Sequence, residues 1–278
     1  LESTGVCELA RMDDIVVTPA QKLLPQAPTP LFLWRFQHHE ATVYLAGTIH
    51  VLKESLYPLP QPYLDAYAAT QKLVFEVDLS RYPPAEVQQQ TMAYATLPEQ
   101  SLRQSLPSET YSELVSAGLI YGLPVGQMQA FKPMLAFQQL GLLGFIAMGY
   151  DPTFGIDHYF GQLGEREAEN ILQLETLDLQ LKLLFDQPLD VQTAVLEQAL
   201  AELDNIEQST SALVSAYFNG DDARLLSLVE EQAGEHPLTR AFNAQLLDQR
   251  NRGMARTIQA YLASDQSYFV LVGAAHTV

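Results

Sequence analysis

"ATVYLAGTIH" (residues 41–50) and "SYFVLVGAAH" (residues 267–276) decide the expected fold. Each is an apolar run, rich in β-branched and aromatic residues, that reaches a glycine and then, three positions later, a histidine: His50 and His276. Such runs are typical of buried strands. If both strands belong to one parallel sheet, both histidines emerge at carboxyl ends of strands, where α/β sheets form their sites. The glycine before each histidine permits a tight turn or a close backbone approach.

The segments around these runs predict an α/β fold with a central mixed, largely parallel sheet flanked by helices. "LFLWRFQ" (31–37) is expected to form a hairpin with residues 41–47 across "HHE". A helix is expected in "YLDAYAATQ" (63–71), before a buried strand in "KLVFEVDLS" (72–80) and a later short one in "ENILQLE" (169–175). Strand, helix and strand in this order predict parallel strands with a right-handed crossover.

The rest of the chain divides into a leader and helical stretches. Residues 1–30 contain a proline-rich end and are expected to form an extended leader, before a single domain over residues 31–278. Within that domain we expect a large helical insertion at about 83–165 and a helical segment at about 176–263.

Composition excludes several classes of function. The 278-residue chain is 47% hydrophobic, enough for a substantial core, and 15 Lys and Arg against 33 Asp and Glu give a net charge of -18. Nucleic acid and anionic membrane surfaces are therefore unfavourable partners. No apolar stretch reaches the roughly 20 residues of a spanning helix. Cys7 is the only cysteine, which excludes an internal disulfide and leaves an incidental thiol or a lipid-attachment residue.

A third residue, Glu76, suggests that the two histidines bind a metal. Glu76 stands in an otherwise apolar strand, where a carboxylate is costly to bury unless it is paired or binds a cation. Two neutral imidazoles and one carboxylate, His50, His276 and Glu76, form a common ligand set for a divalent transition metal that activates water. Glu175, at the end of the short strand, fits a general base or a residue that supports a ligand.

The same residues also fit a structural interpretation. A histidine at the end of a strand is often only a satisfied polar residue, and Glu76 fits equally well as the partner of a buried arginine from "RNR" (250–252).

Seven segments, in this order, resemble the TraB/GumN family, which includes the Tiki Wnt-cleaving proteases. They are "LWRF", "TVYLAGTIHVLKESLYPLP", "LVFEVDLS", "GIDHYF", "ILQLETLDLQL", "LLDQRNRGMARTI" and "FVLVGAAH". The resemblance runs from about residue 31 to the end of the sequence, and the fold resemblance extends to the erythromycin esterase and ChaN-like group, which includes a haem-binding lipoprotein.

This resemblance implies a site and a cofactor. It implies a metal bound by His50, Glu76 and His276, and a dependence on manganese or cobalt, while the ligand types suit zinc as well. It also points to further positions with catalytic, substrate-binding or supporting roles. We expect Glu76, Glu175, Arg250 and Asn251 to be catalytic, and Asp157 and His158 to contact substrate or support the ligands.

The expected function is therefore a metal-dependent hydrolase, a peptidase that acts on peptide or protein substrates. Many bacterial members of the family are secreted through a signal peptide or lipid anchor, so a periplasmic or extracellular location is expected. One alternative is a non-catalytic module that binds a peptide, a pheromone or a cofactor in the same cleft. A second is an interaction protein that docks partners through its helices at 176–233.

Overall fold

The computed structural model describes residues 16–19, 31–164 and 170–278. These residues form a six-stranded sheet with the strand order β1-β2-β3-β6-β4-β5. The strands are β1 (Val16–Pro19), β2 (Leu33–His38), β3 (Ala41–Thr48), β4 (Lys72–Phe75), β5 (Ile171–Gln173) and β6 (Ser267–Gly273).

The strand directions confirm the predicted α/β fold. β2 pairs antiparallel with β1 and with β3, and the predicted hairpin turns at His39, which has a positive φ of 50°. β3 and β4 each pair parallel with β6, and β5 pairs parallel with β4. The sheet is therefore mixed, with an antiparallel side and a parallel side. The parallel side has all its carboxyl ends at one edge.

One strand prediction needs correction, and one strand was not predicted. The strand expected at 72–80 ends at Phe75, because Asp78 accepts hydrogen bonds from the backbone N–H and the hydroxyl of Ser80 and starts a 3₁₀ turn. Glu76 thus lies just beyond its strand and not inside it. Within the expected leader, Val16–Pro19 joins the edge of the sheet. The remainder of residues 1–30, with Cys7, lies outside the described residues.

Helices fill both stretches that were predicted to be helical. Before them, α1 (Gln61–Ala68) is the helix expected at 63–71. The first stretch comprises α2 (Pro84–Ala95), α3 (Leu102–Ser105), α4 (Ser108–Tyr121), α5 (Pro133–Ala147) and α6 (Ile156–Gly164). The second comprises α7 (Leu177–Phe185), α8 (Leu189–Glu202), α9 (Ile206–Phe218), α10 (Asp222–Ala233), α11 (Pro237–Ala244) and α12 (Arg250–Leu262).

Within residues 31–164 and 170–278, no helix has the length and apolar character needed to cross a membrane. The division into a leader and one domain stays a prediction.

The two faces of the sheet bury different sets of helices. Side chains alternate along β6, so that Phe269 and Leu271 belong to one apolar cluster while Val270 and Val272 belong to another. The first cluster includes residues of α1, α6, α9 and α10, and the second includes Met254 and Leu262 of α12. This packing fixes α12 against the sheet, with its first residue near the carboxyl edge.

Candidate functional site

Four neighbouring parallel strands each deliver one polar side chain to the same edge of the sheet. His50 follows β3 by two residues, His276 follows β6 by three, Glu76 directly follows β4, and Glu175 follows β5 by two. The strands are in register there, since Thr48 pairs with Gly273 and the backbone N–H of Glu175 donates to the Glu76 carbonyl at 2.8 Å. The structure thus brings these four residues together, while their chemical roles stay predictions.

Gly273 marks the centre of this group. A Cβ atom added there would lie 3.5 Å from Glu76 Oε1, 3.5 Å from His50 Nε2 and 3.7 Å from His276 Cδ2. The backbone N–H of Gly273 also donates to Glu76 Oε1 at 2.6 Å. The two imidazoles and the carboxylate therefore meet beside Gly273.

His50 is oriented by a carboxylate from another element. Its Nδ1 lies 2.6 Å from Oδ2 of Asp157, which stands in the first turn of α6, and Thr48 Oγ1 donates to Asp157 Oδ1 at 2.8 Å. The negative charge of Asp157, together with its hydrogen bond, raises the pKa of His50 to about 9. Burial disfavours the ionised form of Asp157, but the charge and hydrogen bond of His50 prevail and lower its pKa.

The start of α6 is docked on the His50 loop through backbone contacts. The N–H of Ile156 donates to the carbonyl of Ile49 at 3.0 Å, and a Cβ atom at Gly155 would come within 2.3 Å of the His50 carbonyl oxygen. Only glycine permits this approach, so Gly155 sets the distance between Asp157 and His50.

His276 is buried, and its two ring nitrogens have different partners. Nδ1 lies 2.7 Å from Asn251 Oδ1, and Nε2 lies 3.0 Å from Arg250 Nη1. Because a guanidinium only donates, Nε2 accepts and the ring proton resides on Nδ1, from which it is donated to Asn251. Burial lowers the pKa of His276, which agrees with a neutral ring.

Arg250, the first residue of α12, joins both carboxylates. Its Nη2 pairs with Glu76 Oε2 and lies 2.8 Å from Glu175 Oε2, while its Nε donates to the same Glu175 oxygen at 2.9 Å. Burial opposes the ionisation of Glu76, but the Arg250 charge prevails and lowers the pKa of this carboxyl. The pairing of Glu76 with an arginine of "RNR", one of the two interpretations of the sequence, is thus present.

Sequence reasoning missed three groups in this cluster. Gln180 Nε2 donates to Glu76 Oε2 at 3.3 Å and to Glu175 Oε2 at 3.2 Å. Thr48 and the N–H of Gly273 were also missed. Thr48 lies inside the first glycine-to-histidine motif, and Gln180 lies in the first turn of α7, five residues after Glu175. These positions were the available signals.

His158 is placed differently from the other predicted residues. It is exposed on α6, and its Nε2 lies 2.8 Å from the side-chain nitrogen of Gln162 in the next turn. The structure pairs it with its own helix, and a role in substrate binding stays a prediction.

The donor set fits a divalent metal. Both histidines have Nδ1 engaged by an oxygen acceptor, which is the usual support of metal-binding imidazoles and leaves Nε2 for a ligand bond. Together with the Glu76 carboxylate they make a nitrogen and oxygen set suited to zinc, manganese or cobalt. In the part of the chain that the structure describes, however, no three His, Cys, Asp or Glu side chains stand at metal-ligand spacing. Arg250 contacts both Glu76 and His276 Nε2 where a metal would bind.

Comparison with known proteins identifies the family. A sequence model of the TraB/PrgY/gumN family matches residues 32–278, so the chain belongs to this family, as its ordered motifs predicted. Searches of curated proteins and of solved structures found no match.

Proposed function

We propose that this protein is a metal-dependent hydrolase that cleaves peptide bonds. The observation that carries the proposal is the meeting of His50, Glu76 and His276 around Gly273, with each imidazole oriented through Nδ1. Histidines with a purely structural role need not lie near one another, whereas the ligands of a metal must surround one point. Family membership supports the proposal without fixing the reaction.

His50 Nε2, His276 Nε2 and the Glu76 carboxylate would hold the metal. A divalent metal in such a site supplies a Lewis acid for the substrate carbonyl and lowers the pKa of a water molecule towards neutrality. Asp157 keeps the proton of His50 on Nδ1, and Asn251 does the same for His276. These two acceptors thereby orient both rings with Nε2 towards the proposed metal. His50, whose pKa is raised to about 9, would release the proton of its Nε2 when the metal binds.

The remaining groups serve the hydrolysis itself. In peptide hydrolysis the oxygen of water bonds to the carbonyl carbon, the C–N bond breaks, and a proton of that water passes to the leaving amine. We assign this proton transfer to Glu175, the strand-end carboxylate that is not needed as a ligand. Arg250, anchored on Glu175, is the cation available to stabilise the developing oxyanion.

Metal content and peptide cleavage, measured together, test this function. The wild type would be loaded with manganese, cobalt or zinc beside His50→Ala and His276→Ala, with His236→Asn as a matched control. His236 caps α11 outside the cluster, and asparagine preserves a cap. We expect both alanine variants to lose metal and cleavage while the control keeps both. If both alanine variants bound as much metal as the wild type, the proposal would be wrong.

A second function is favoured by one contact. Because Arg250 holds both Glu76 and His276 Nε2, the cluster also fits a cleft that binds a peptide or cofactor without turnover. Tight peptide binding by metal-loaded protein, with no product formed, would favour this binding module over the hydrolase.

A further inference from the structure

The guanidinium of Arg250 contacts the groups that would hold the metal. Nη1 donates to His276 Nε2 at 3.0 Å, and Nη2 pairs with Glu76. The same side chain is bonded to Glu175 through Nε at 2.9 Å and through Nη2 at 2.8 Å. One cation thus contacts two of the three proposed ligands and the neighbouring carboxylate.

These contacts differ in where they lie along the side chain. Nε is the guanidinium nitrogen nearest the backbone, and its bond to Glu175 anchors the arm. Nη1 and Nη2 form the far end: Nη1 reaches His276, and Nη2 reaches Glu76 and also lies 2.8 Å from Glu175. Loss of the far contacts would leave the Nε contact in place. Gln180 would still donate to Glu175 at 3.2 Å and hold that carboxylate in position.

Charge in the cluster favours a further cation. The side chains of Glu76 and Glu175 are only 13% and 5% exposed, so both carboxylates are largely withdrawn from water. Three carboxylates, those of Glu76, Glu175 and Asp157, against the cations Arg250 and protonated His50 leave one negative charge in excess, which is costly at low local dielectric.

The helix carrying Arg250 is irregular immediately before it. Gln245–Gln249 form a π-helical turn between α11 and α12, and Arg250 is the first α-helical residue afterwards. Such turns occur mostly as single insertions in α-helices and often at functional sites. Arg250 therefore stands directly after an irregular turn of the helix.

We propose that Arg250 is the exchangeable cation of this site: a divalent metal displaces Nη1 from His276 and Nη2 from Glu76, while Nε of Arg250 stays bonded to Glu175. The released end of the guanidinium is then free to bind a carbonyl or carboxylate oxygen of the substrate. This inference rests on the proposed metal site. It adds that Arg250 competes with the metal for His276 and Glu76 and thereby regulates metal binding.

Mn²⁺ affinity, measured by calorimetry at constant pH, tests the exchange. We expect Arg250→Gln to bind Mn²⁺ about tenfold more tightly than the wild type, because no guanidinium must be displaced. We expect Arg250→Lys also to bind more tightly than the wild type, since an ammonium has no planar fork to join Glu76, Glu175 and His276. Arg252→Gln is the matched control, because it removes the same charge from an exposed position on the same helix.

Three other outcomes would contradict the exchange of Arg250 for the metal, and they can be told apart. If Arg250 supported the ligands, Arg250→Gln would weaken Mn²⁺ binding, by about 10–100-fold. If only its charge mattered, Arg250→Lys would bind like the wild type. In both cases the metal site would survive and the exchange would fall. No Mn²⁺ binding by any of the four proteins would remove the metal site and the exchange together.

Thermal unfolding provides a second reading that does not depend on activity. Arg250→Gln leaves Glu76 and Glu175 without their cation, so its Tm in chelator is expected to fall below that of the wild type. Saturating Mn²⁺ should then raise the Tm of the variant by more than it raises the Tm of the wild type. An equal or smaller rise would contradict the exchange.

Discussion

His50 Nδ1 lies 2.6 Å from Asp157 Oδ2, which joins the loop after β3 to the first turn of α6 across 107 positions of sequence. This contact orients the imidazole so that its Nε2 faces the space beside Gly273. We therefore expect Asp157 to act as a positioning residue, whose loss lowers metal affinity more than stability.

Asp157→Asn keeps the shape of the side chain and removes its charge. We expect Mn²⁺ affinity to fall about 10–100-fold, because the imidazole loses its anionic acceptor. Calorimetric titration measures this, with Asp178→Asn as a control, since Asp178 pairs with Lys182 on the surface. Equal affinity in wild type and Asp157→Asn would contradict a positioning role.

The pKa of His50 predicts a pH dependence of stability in protein treated with chelator. Its folded value of about 9 lies above the ordinary 6.5, so the pair with Asp157 stabilises fully below about pH 6.5. This contribution is lost as pH rises through about 9. The side chain is 67% exposed, so water screens the pair and the effect is small. Thermal unfolding of wild type and His50→Gln between pH 6 and 10 measures it. A Tm difference that did not shrink with rising pH would speak against the assignment.

Gly155 is predicted to be intolerant of a side chain. A Cβ atom there would lie 2.3 Å from the His50 carbonyl oxygen and 2.8 Å from its carbon, so backbone must move. We expect Gly155→Ala to lose about 1–3 kcal/mol of unfolding free energy and to weaken metal binding. Gly141→Ala is the control, because it lies in α5 with open space around it and should gain up to about 1 kcal/mol. Similar stability changes in both variants would refute this reading of Gly155.

Tyr217 supports the first glycine-to-histidine motif from α9. Its hydroxyl donates to the Gly47 carbonyl at 2.7 Å and lies 2.9 Å from the Tyr63 hydroxyl in the buried core. Tyr217→Phe leaves the carbonyl without this donor, and we expect a loss of about 1–3 kcal/mol by denaturant unfolding. Tyr94→Phe, which removes a surface contact with Asp178, should change stability little. A neutral Tyr217→Phe would show that the motif does not need this support.

The sequence was sufficient for the strands that carry the site. Apolar runs ending in glycine predicted β3 and β6, and the parallel arrangement that the sequence left as a condition is present in the fold. The position of β6 between β3 and β4 was not predictable, because strand order depends on packing between segments over 200 residues apart. The edge strand β1 was missed for a similar reason, since its four residues acquire strand character only by pairing with β2.

The candidate site was predictable in its residues but not in its contacts. Buried carboxylates such as Glu76 require a cation, and sequence reasoning left metal and arginine as alternatives. Only the fold shows that Arg250 reaches Glu76, Glu175 and His276 together. Gln180 was overlooked because glutamine on a helix is usually a solvated residue, and its value here comes from facing two carboxylates.

Anomalous diffraction from crystals grown with Mn²⁺ would locate the metal itself. We expect one peak bounded by His50 Nε2, the Glu76 carboxylate and His276 Nε2 beside Gly273, at ligand-bond distances. We also expect the Arg250 guanidinium to be turned away from Glu76 and still bonded to Glu175. A fully occupied Mn²⁺ peak elsewhere, or no peak beside Gly273 at saturating Mn²⁺, would contradict the metal site.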